Sequence, residues 1–334
     1  MLGRGTLHRK MPGLSANISG AGLYYEAQIT HAERLGLKLV LDAEANKVSR
    51  SVIHADLFAV QGDVIRCRSD GREACARASV IINAGRAWID RVNTQLGIRS
   101  HLMGGSRGLH LVIDNPDLTA ALASRMIYFG TADGRVNLIY QFAGRVLVGS
   151  TVIPNADPDA ATCSDAEADC LCTAVAEVLP GMPIRPVQIV QRFCGVRPLP
   201  RSDGKDIGAV TRDHSIVTLT LPETTIPVLC LIGGEWKTFR GFSEQAANQV
   251  LGRLGVTRKV LTAGLAIGGG LEMPWKAQGR NALAADLAAH LHLTQARVAI
   301  LLCATEPACA TIWPALRVMR KVRCEVAWNI LFSR

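Results

Sequence analysis

In the stretch GLYYEAQITHAERLG (22–36) the apolar residues recur at helical spacing and the run closes on Gly36, which predicts a helix. The period then shortens. LKLVLDAE (37–44), HADLFAVQG (54–62), VIRCRSDG (64–71) and SVIINAG (79–85) are short, rich in Val, Ile and Leu and separated by turn residues, and they predict strands. From His101 the texture changes. LHLVID (109–114), RMIYFGT (125–131), RVNLIYQFAG (135–144) and RVLVGST (145–151) are joined by short turns such as ADG and AG, as an antiparallel sheet requires. SDAEADCLCTAVAEVLPG (164–181) predicts a helix with an acidic first turn and a glycine near its end. Strands return in VQIVQRFCGVRPLP (187–200), DIGAVTRDHSIVTLT (206–220) and VLCLIGG (228–234), and SEQAANQVLGRLG (243–255) predicts a helix capped by Ser243. The pattern is α/β (α+β): an antiparallel block inserted between two parts of one α/β domain.

Composition narrows this picture. No apolar run reaches the ~18 residues of a spanning helix, and the first twenty residues lack the apolar centre of a secretory signal, so a cytoplasmic location is expected. Ten cysteines stand at irregular spacing without paired CxxC sets, which argues against both a metal site and a disulfide framework. The net charge of +9 comes from scattered basic residues, with aromatics at only 5%. Nucleic acid is therefore not expected as a partner, and anionic small molecules or an anionic lipid surface suit the charge better.

Two glycine turns at strand ends carry the candidate chemistry. In LIGGEWKTFR (231–240) a strand meets Gly233 and Gly234 and then a helix start near Thr238; in INAGRAWID (82–90) a strand ends at Asn83 and Gly85 precedes Trp88. Alone, each reads as an ordinary strand–helix turn. As a pair flanking an inserted sheet, they suit the carboxyl ends of strands in a dinucleotide-type fold. Between them Arg197, fixed between Val196 and Pro198, could grip a phosphate or an oxygen bearing developing charge, or be a strand-edge arginine. His110 alternates with apolar neighbours and reads as a core or rim histidine, or as a proton carrier.

In their order these runs resemble the FAD-dependent glycerol-3-phosphate dehydrogenase family over about residues 20–302. GLYYEAQITHAERL resembles that family's YYDAQVDDARL, INAGRAWID its NAAGPWVD, SRGLHLVID its KGSHIVV and RVLVGST its R-x-x-I-GTTD. CGVRPL matches AGVRPL, and GGEWKTFR resembles GGKWTTYR. The resemblance implies an incomplete Rossmann-like FAD domain (1–100 and 223–255), an inserted antiparallel substrate domain (101–222) and part of a helical C-terminal domain (256–302). It implies FAD as cofactor, lined by Ala84, Gly85, Gly233, Gly234 and Thr238. His110, Arg197 and Lys237 would serve a small-molecule polyol phosphate, oxidised by hydride transfer to flavin, and a peripheral membrane position or a quinone acceptor is implied for the family.

The departures are specific. The family lysine falls on Glu235, with Lys237 two residues on; Arg86 takes a family glycine's place and is expected to overfill its turn; and the GTTD aspartate is Val152. No strand–GxGxxG–helix precedes Tyr24, so an N-terminal truncation is expected. The tail from 303 departs from the family's RYG run in a way that a frameshift near Leu302 would explain. With the pyrophosphate-binding unit missing and Arg86 crowding the turn, neither a flavin band nor dye reduction is expected of the chain as purified; an erythritol-phosphate dehydrogenase branch, a non-catalytic remnant and a flavin-free sugar-phosphate binding module are the alternatives.

Overall fold

The computed structural model describes residues 1–305 apart from 26–28, 30, 31, 48, 124, 132, 133, 156, 202–212, 272 and 275. Two compact units are built, one from 1–27 with 54–258 and the other from 28–53 with Lys259 onward. In chain order the first elements are β1 (Leu2–Gly3), α1 (Arg4–Lys10), β2 (Gly20–Ala21) and α2 (Ala32–Ala45). A β-meander follows, of β3 (Ala55–Gln61), β4 (Val64–Ser69) and β5 (Arg72–Arg77), and then β6 (Ile81–Asn83) and α3 (Ile89–Gln95). The central stretch holds β7 (Ser106–Ile113), α4 (Pro116–Leu122), β8 (Ile127–Gly130), β9 (Val136–Phe142), β10 (Arg145–Gly149), β11 (Ile153–Pro154), α5 (Asp165–Val178) and β12 (Ile189–Arg197). The chain continues through β13 (Ser215–Thr220), β14 (Pro227–Ile232), α6 (Phe239–Arg253), α7 (Ala277–Leu291) and α8 (Gln295–Thr305).

The largest sheet is antiparallel, with β7 paired to β10, β11 and β12, and β9 between β10 and β8. One face carries Leu109, Leu111 and Ile113 of β7, Val146 and Val148 of β10 and Ile139 of β9, and these pack with Leu118 and Leu122 of α4, Leu171 and Val175 of α5 and Leu7 of α1. Period-two alternation sends these residues to the core, while Gly108 and His110 of β7 point to the opposite face. α5 is set at its N-terminus by a capping box, in which Ser164 accepts from the Glu167 amide and Glu167 reaches back to the Ser164 backbone.

A second sheet has the order β13–β14–β6. β14 is antiparallel to β13 and parallel to β6, with Val228 opposite Ile81 and Cys230 opposite Asn83. Its core joins Val228, Cys230 and Ile232 to Ile89 and Leu96 of α3. The mixed fold with its antiparallel sheet thus follows the sequence pattern. In the other unit, α7 and α8 share a core of Ala284, Leu291, Val298 and Leu302, and Asp42 of α2 accepts the Gly268 amide at 2.6 Å.

Several expectations are corrected. The helix does not end at Gly36; α2 runs through it and absorbs the strand expected at 37–44. A glycine inside a helix costs only ~1 kcal/mol, and residues 35, 38, 39, 42 and 43 lie partly buried at helical spacing while Leu37, Val40 and Leu41 are exposed. β5 was not anticipated because REACAR is polar and wholly exposed. It forms because Asp70 and Gly71 both take positive φ, as a two-residue hairpin turn requires. Ser243 is not a cap; it lies inside α6, whose N-cap is Thr238. Of the strand expected at 206–220, the second part forms β13 while 206–212 lie outside the described residues, as does the tail beyond Thr305.

Candidate substrate cleft

Residues facing one another across an antiparallel pair share a face. β12 is in register with β7 so that Phe193 faces His110, Gly195 faces Gly108 and Arg197 faces Ser106. Phe193, Gly195 and Arg197 therefore lie on the same side of the sheet as Gly108 and His110. The His110 ring stacks on Phe193 with centroids 5.2 Å apart and planes 9° from parallel. On the other flank Gly149 faces His110, and a Cβ there would collide with the imidazole. The ring lies down against the sheet because residue 149 has no side chain.

Burial pushes the His110 imidazole down to about 4, helped by the Arg197 charge and opposed by a hydrogen bond with the Gly108 backbone. At neutral pH it is uncharged. Arg197 lies over Gly108, where a Cβ would strike the guanidinium. Its Nη1 and Nη2 donate to the Thr151 carbonyl at 3.2 and 3.3 Å, and Nη2 also donates to Ser150 Oγ. Thr151 is itself fixed: its Oγ1 accepts the Leu109 amide at 2.9 Å and donates to Glu167 at 3.1 Å. Glu167, buried, is also the ion-pair partner of Arg107 at 2.8 Å. Glu167, the first-turn member of the α5 capping box, thus steadies the residue whose carbonyl holds Arg197.

The turn after β6 completes this wall. Asn83 is buried; its Nδ2 donates to the Ile89 carbonyl at 2.9 Å and to Asn93 at 2.8 Å, and its Oδ1 accepts the Gly85 amide at 3.0 Å. Ala84 and Gly85 lead into Arg86, which has φ +52°. That left-handed backbone costs a non-glycine residue roughly 1–2 kcal/mol. The overfilling expected of Arg86 is therefore a backbone strain, and the side chain stands exposed at the cleft. The family's glycine at this position was the available signal for a left-handed residue.

Arg86, His110, Phe193, Gly195 and Arg197 line one open cleft of about 250 Å³, together with Gly108, Cys194 and Val196. Gly233, Gly234, Lys237 and Thr238 are not among its lining residues. Gly233 and Gly234 have φ of +76° and +85°. Cβ atoms there would come within 3.0 Å of the Asp213 carbonyl and 2.9 Å of the Phe242 ring, so the chain's own packing already requires both glycines. Thr238 stands at the N-cap position of α6 without a side-chain capping bond, its Oγ1 accepts the Glu235 amide at 3.1 Å, and Lys237 is exposed.

A stacked neutral imidazole and an anchored guanidinium thus meet on a glycine floor. Residues 1–221 match the family model of FAD dependent oxidoreductases, and the chain belongs to that family. FAD is the cofactor of the family. Among individual proteins, the chain is 27% identical over 259 residues to a glycerol-3-phosphate dehydrogenase of Synechocystis sp., covering 71% of this chain and 46% of the relative. It is 25% identical over 249 residues to the aerobic glycerol-3-phosphate dehydrogenase of Bacillus subtilis, covering 71% and 42%. The chain spans less than half the length of these relatives. The fold resembles the glycerol-3-phosphate dehydrogenase of Bacillus halodurans solved with FAD, with a TM-score of 0.73 at 20% identity over 90% of this chain and 59% of that one.

Proposed function

We propose that this chain carries the substrate-facing part of an FAD-dependent polyol-phosphate dehydrogenase acting on glycerol 3-phosphate, with the FAD-binding part contributed by 1–100 and 223–255. The observation that carries the reading is the convergence of neutral His110 and anchored Arg197 on one glycine-floored face. The floor suits a flat ring: at Gly195 a Cβ would meet nothing within 4 Å, so the face is open where a planar cofactor and a small substrate would lie. Phe193, Gly195 and Val196 would border the ring end of FAD, with Ala84 and Gly85 in the adjoining turn. Bound FAD supplies the hydride acceptor.

The chain's own residues account for the remaining chemistry. Arg197 orients the hydroxyl to be oxidised and stabilises negative charge developing on its oxygen. His110, uncharged at pH 7, receives the hydroxyl proton on its ring. The Arg197 charge that depresses the imidazole also makes the alcohol more acidic, so the two effects on proton transfer oppose each other.

The test supplies excess FAD to the purified chain and follows reduction of a redox dye by glycerol 3-phosphate. Phosphate-ester-dependent reduction, falling about a hundredfold or more in Arg197→Ala, is the expected outcome. A flavin-saturated chain that reduces no dye would remove the oxidoreductase reading. Titration with glycerol 3-phosphate would then tell a flavin-free binding module from a non-catalytic remnant.

A further inference from the structure

Phe193 is a side chain whose presence the packing of the fold does not account for. It stands on β12, 39% exposed, and belongs to none of the apolar clusters among the described residues. Its contact is with His110. The register of β12 on β7 sets the two residues opposite each other, and their rings lie 5.2 Å apart and 9° from parallel. That is an offset stack, an arrangement that aromatic rings favour. On the other flank β10 offers the imidazole only the bare backbone of Gly149, where a Cβ would collide with the ring. A glycine thus gives the imidazole room to lie down, and an aromatic face from the outer strand limits how it lies.

We infer that Phe193 is the positioning residue of His110: its ring fixes the plane of the imidazole and shields it from water, so that the same edge of the ring is always offered to the cleft. The final torsion of a histidine side chain is broad when nothing restrains it. The glycine floor removes an obstacle without imposing a plane, and the parallel phenyl ring imposes one. Shielding also disfavours the charged imidazole, in keeping with His110, where burial is the largest cause of the depressed pKa and the Arg197 charge adds to it. The charged groups facing the ring are Arg197 from β12 and Arg86 from the turn between β6 and α3, while β10 presents Gly149. Both arginines stay when Phe193 is replaced, so the aromatic contribution is measured apart from theirs. This role rests on the reading of His110 as the proton acceptor and adds to it a residue that acts through the imidazole.

The experiment follows the His110 imidazole by NMR in the full chain, its resonances identified by their loss in His110→Gln. The unaltered protein, Phe193→Ala and Phe193→Tyr are titrated downward from about pH 7.5. Thermal melts check that the variants stay folded over the range, as expected for an exposed side chain outside the cores. The expected result is that the unaltered imidazole stays neutral to about pH 5, that Phe193→Ala binds the proton about tenfold or more tightly, and that Phe193→Tyr restores the unaltered behaviour. A merely structural phenylalanine would lower the melting temperature on removal and leave the titration where it was. An unmoved titration in Phe193→Ala, or a tyrosine that fails to restore it, overturns the positioning role. With FAD and glycerol 3-phosphate supplied, the acid limb of dye reduction should move to higher pH with the titration in Phe193→Ala, because only the neutral imidazole accepts a proton. An acid limb that does not follow, or a chain that reduces no dye, overturns His110 as the proton acceptor and leaves the hold of Phe193 on the ring standing.

Discussion

A single imidazole ties the cleft to the pH dependence of the fold. His110 is held near 4 in the folded chain against the usual 6.5, so the unfolded chain takes up its proton first as the solution is acidified. A group with a depressed folded-state pKa stabilises the fold above the unfolded value, and that contribution is lost on descending through the folded value. Acidification from about 6.5 to about 4 is therefore expected to cost up to roughly 3 kcal/mol through this residue. Urea denaturation across that range should show a steeper fall for the unaltered protein than for His110→Gln; parallel curves would mean that the imidazole is not held neutral. The residue types of this site were legible in the sequence, since His110 and Arg197 stand in recognisable runs. Their shared face became certain only with the register of β7 and β12, because one residue of slippage reverses a strand's faces. Arg86 stands out in the sequence by its bulk, whereas its backbone conformation is a property of the folded turn.

At the scale of elements, α5 does more than cover the sheet. Its first-turn Glu167 caps the helix, pairs with Arg107 and fixes Thr151. Glu167→Ala would leave the half-buried Arg107 without its carboxylate, a change that costs about 3–5 kcal/mol when such a pair is buried. Glu167→Gln retains hydrogen-bonding capacity and should cost distinctly less. Equilibrium denaturation of the two variants measures the difference, and equal losses would reduce Glu167 to a capping residue. α5 was readable because an acidic N-terminus, an apolar stripe and a terminal glycine agree with one another. α2 was not: LKLVL alternates enough to suggest a strand, and only packing decides which period prevails over so short a run. β5 was missed for the opposite reason. Its side chains are all exposed and give no apolar face to read, and the signal lay in the Asp70–Gly71 turn.

At the scale of the molecule, each unit has buried clusters of its own, around Leu111 and Val228 in one and around Leu291 in the other. Separate cores permit separate unfolding events. Calorimetry is expected to resolve two transitions, with Leu111→Ala lowering one and Leu291→Ala the other, each by the 2–5 kcal/mol typical of a buried leucine. A single transition moved equally by both substitutions would show that the units melt as one. Among the described residues, no helix is long and apolar enough to cross a membrane. The mixed architecture was legible from the order of short strands and helices. The division into units was not, because α2 is separated in sequence from the helices that share its unit.

The parallel pairing of β6 with β14 also imposes a schedule on the growing polypeptide. β6 leaves the ribosome as a short apolar strand, and its partner is made roughly 150 residues later, which at 5–20 residues per second is an interval of about 8–30 seconds. The antiparallel sheet lies wholly within that interval and can fold first from neighbouring hairpins, while Ile81 and Ile82 wait. Throughout that wait the nascent chain displays an unsatisfied strand edge, so the period of greatest exposure to chaperones, or to mispairing with another nascent chain, falls before β14 is synthesised.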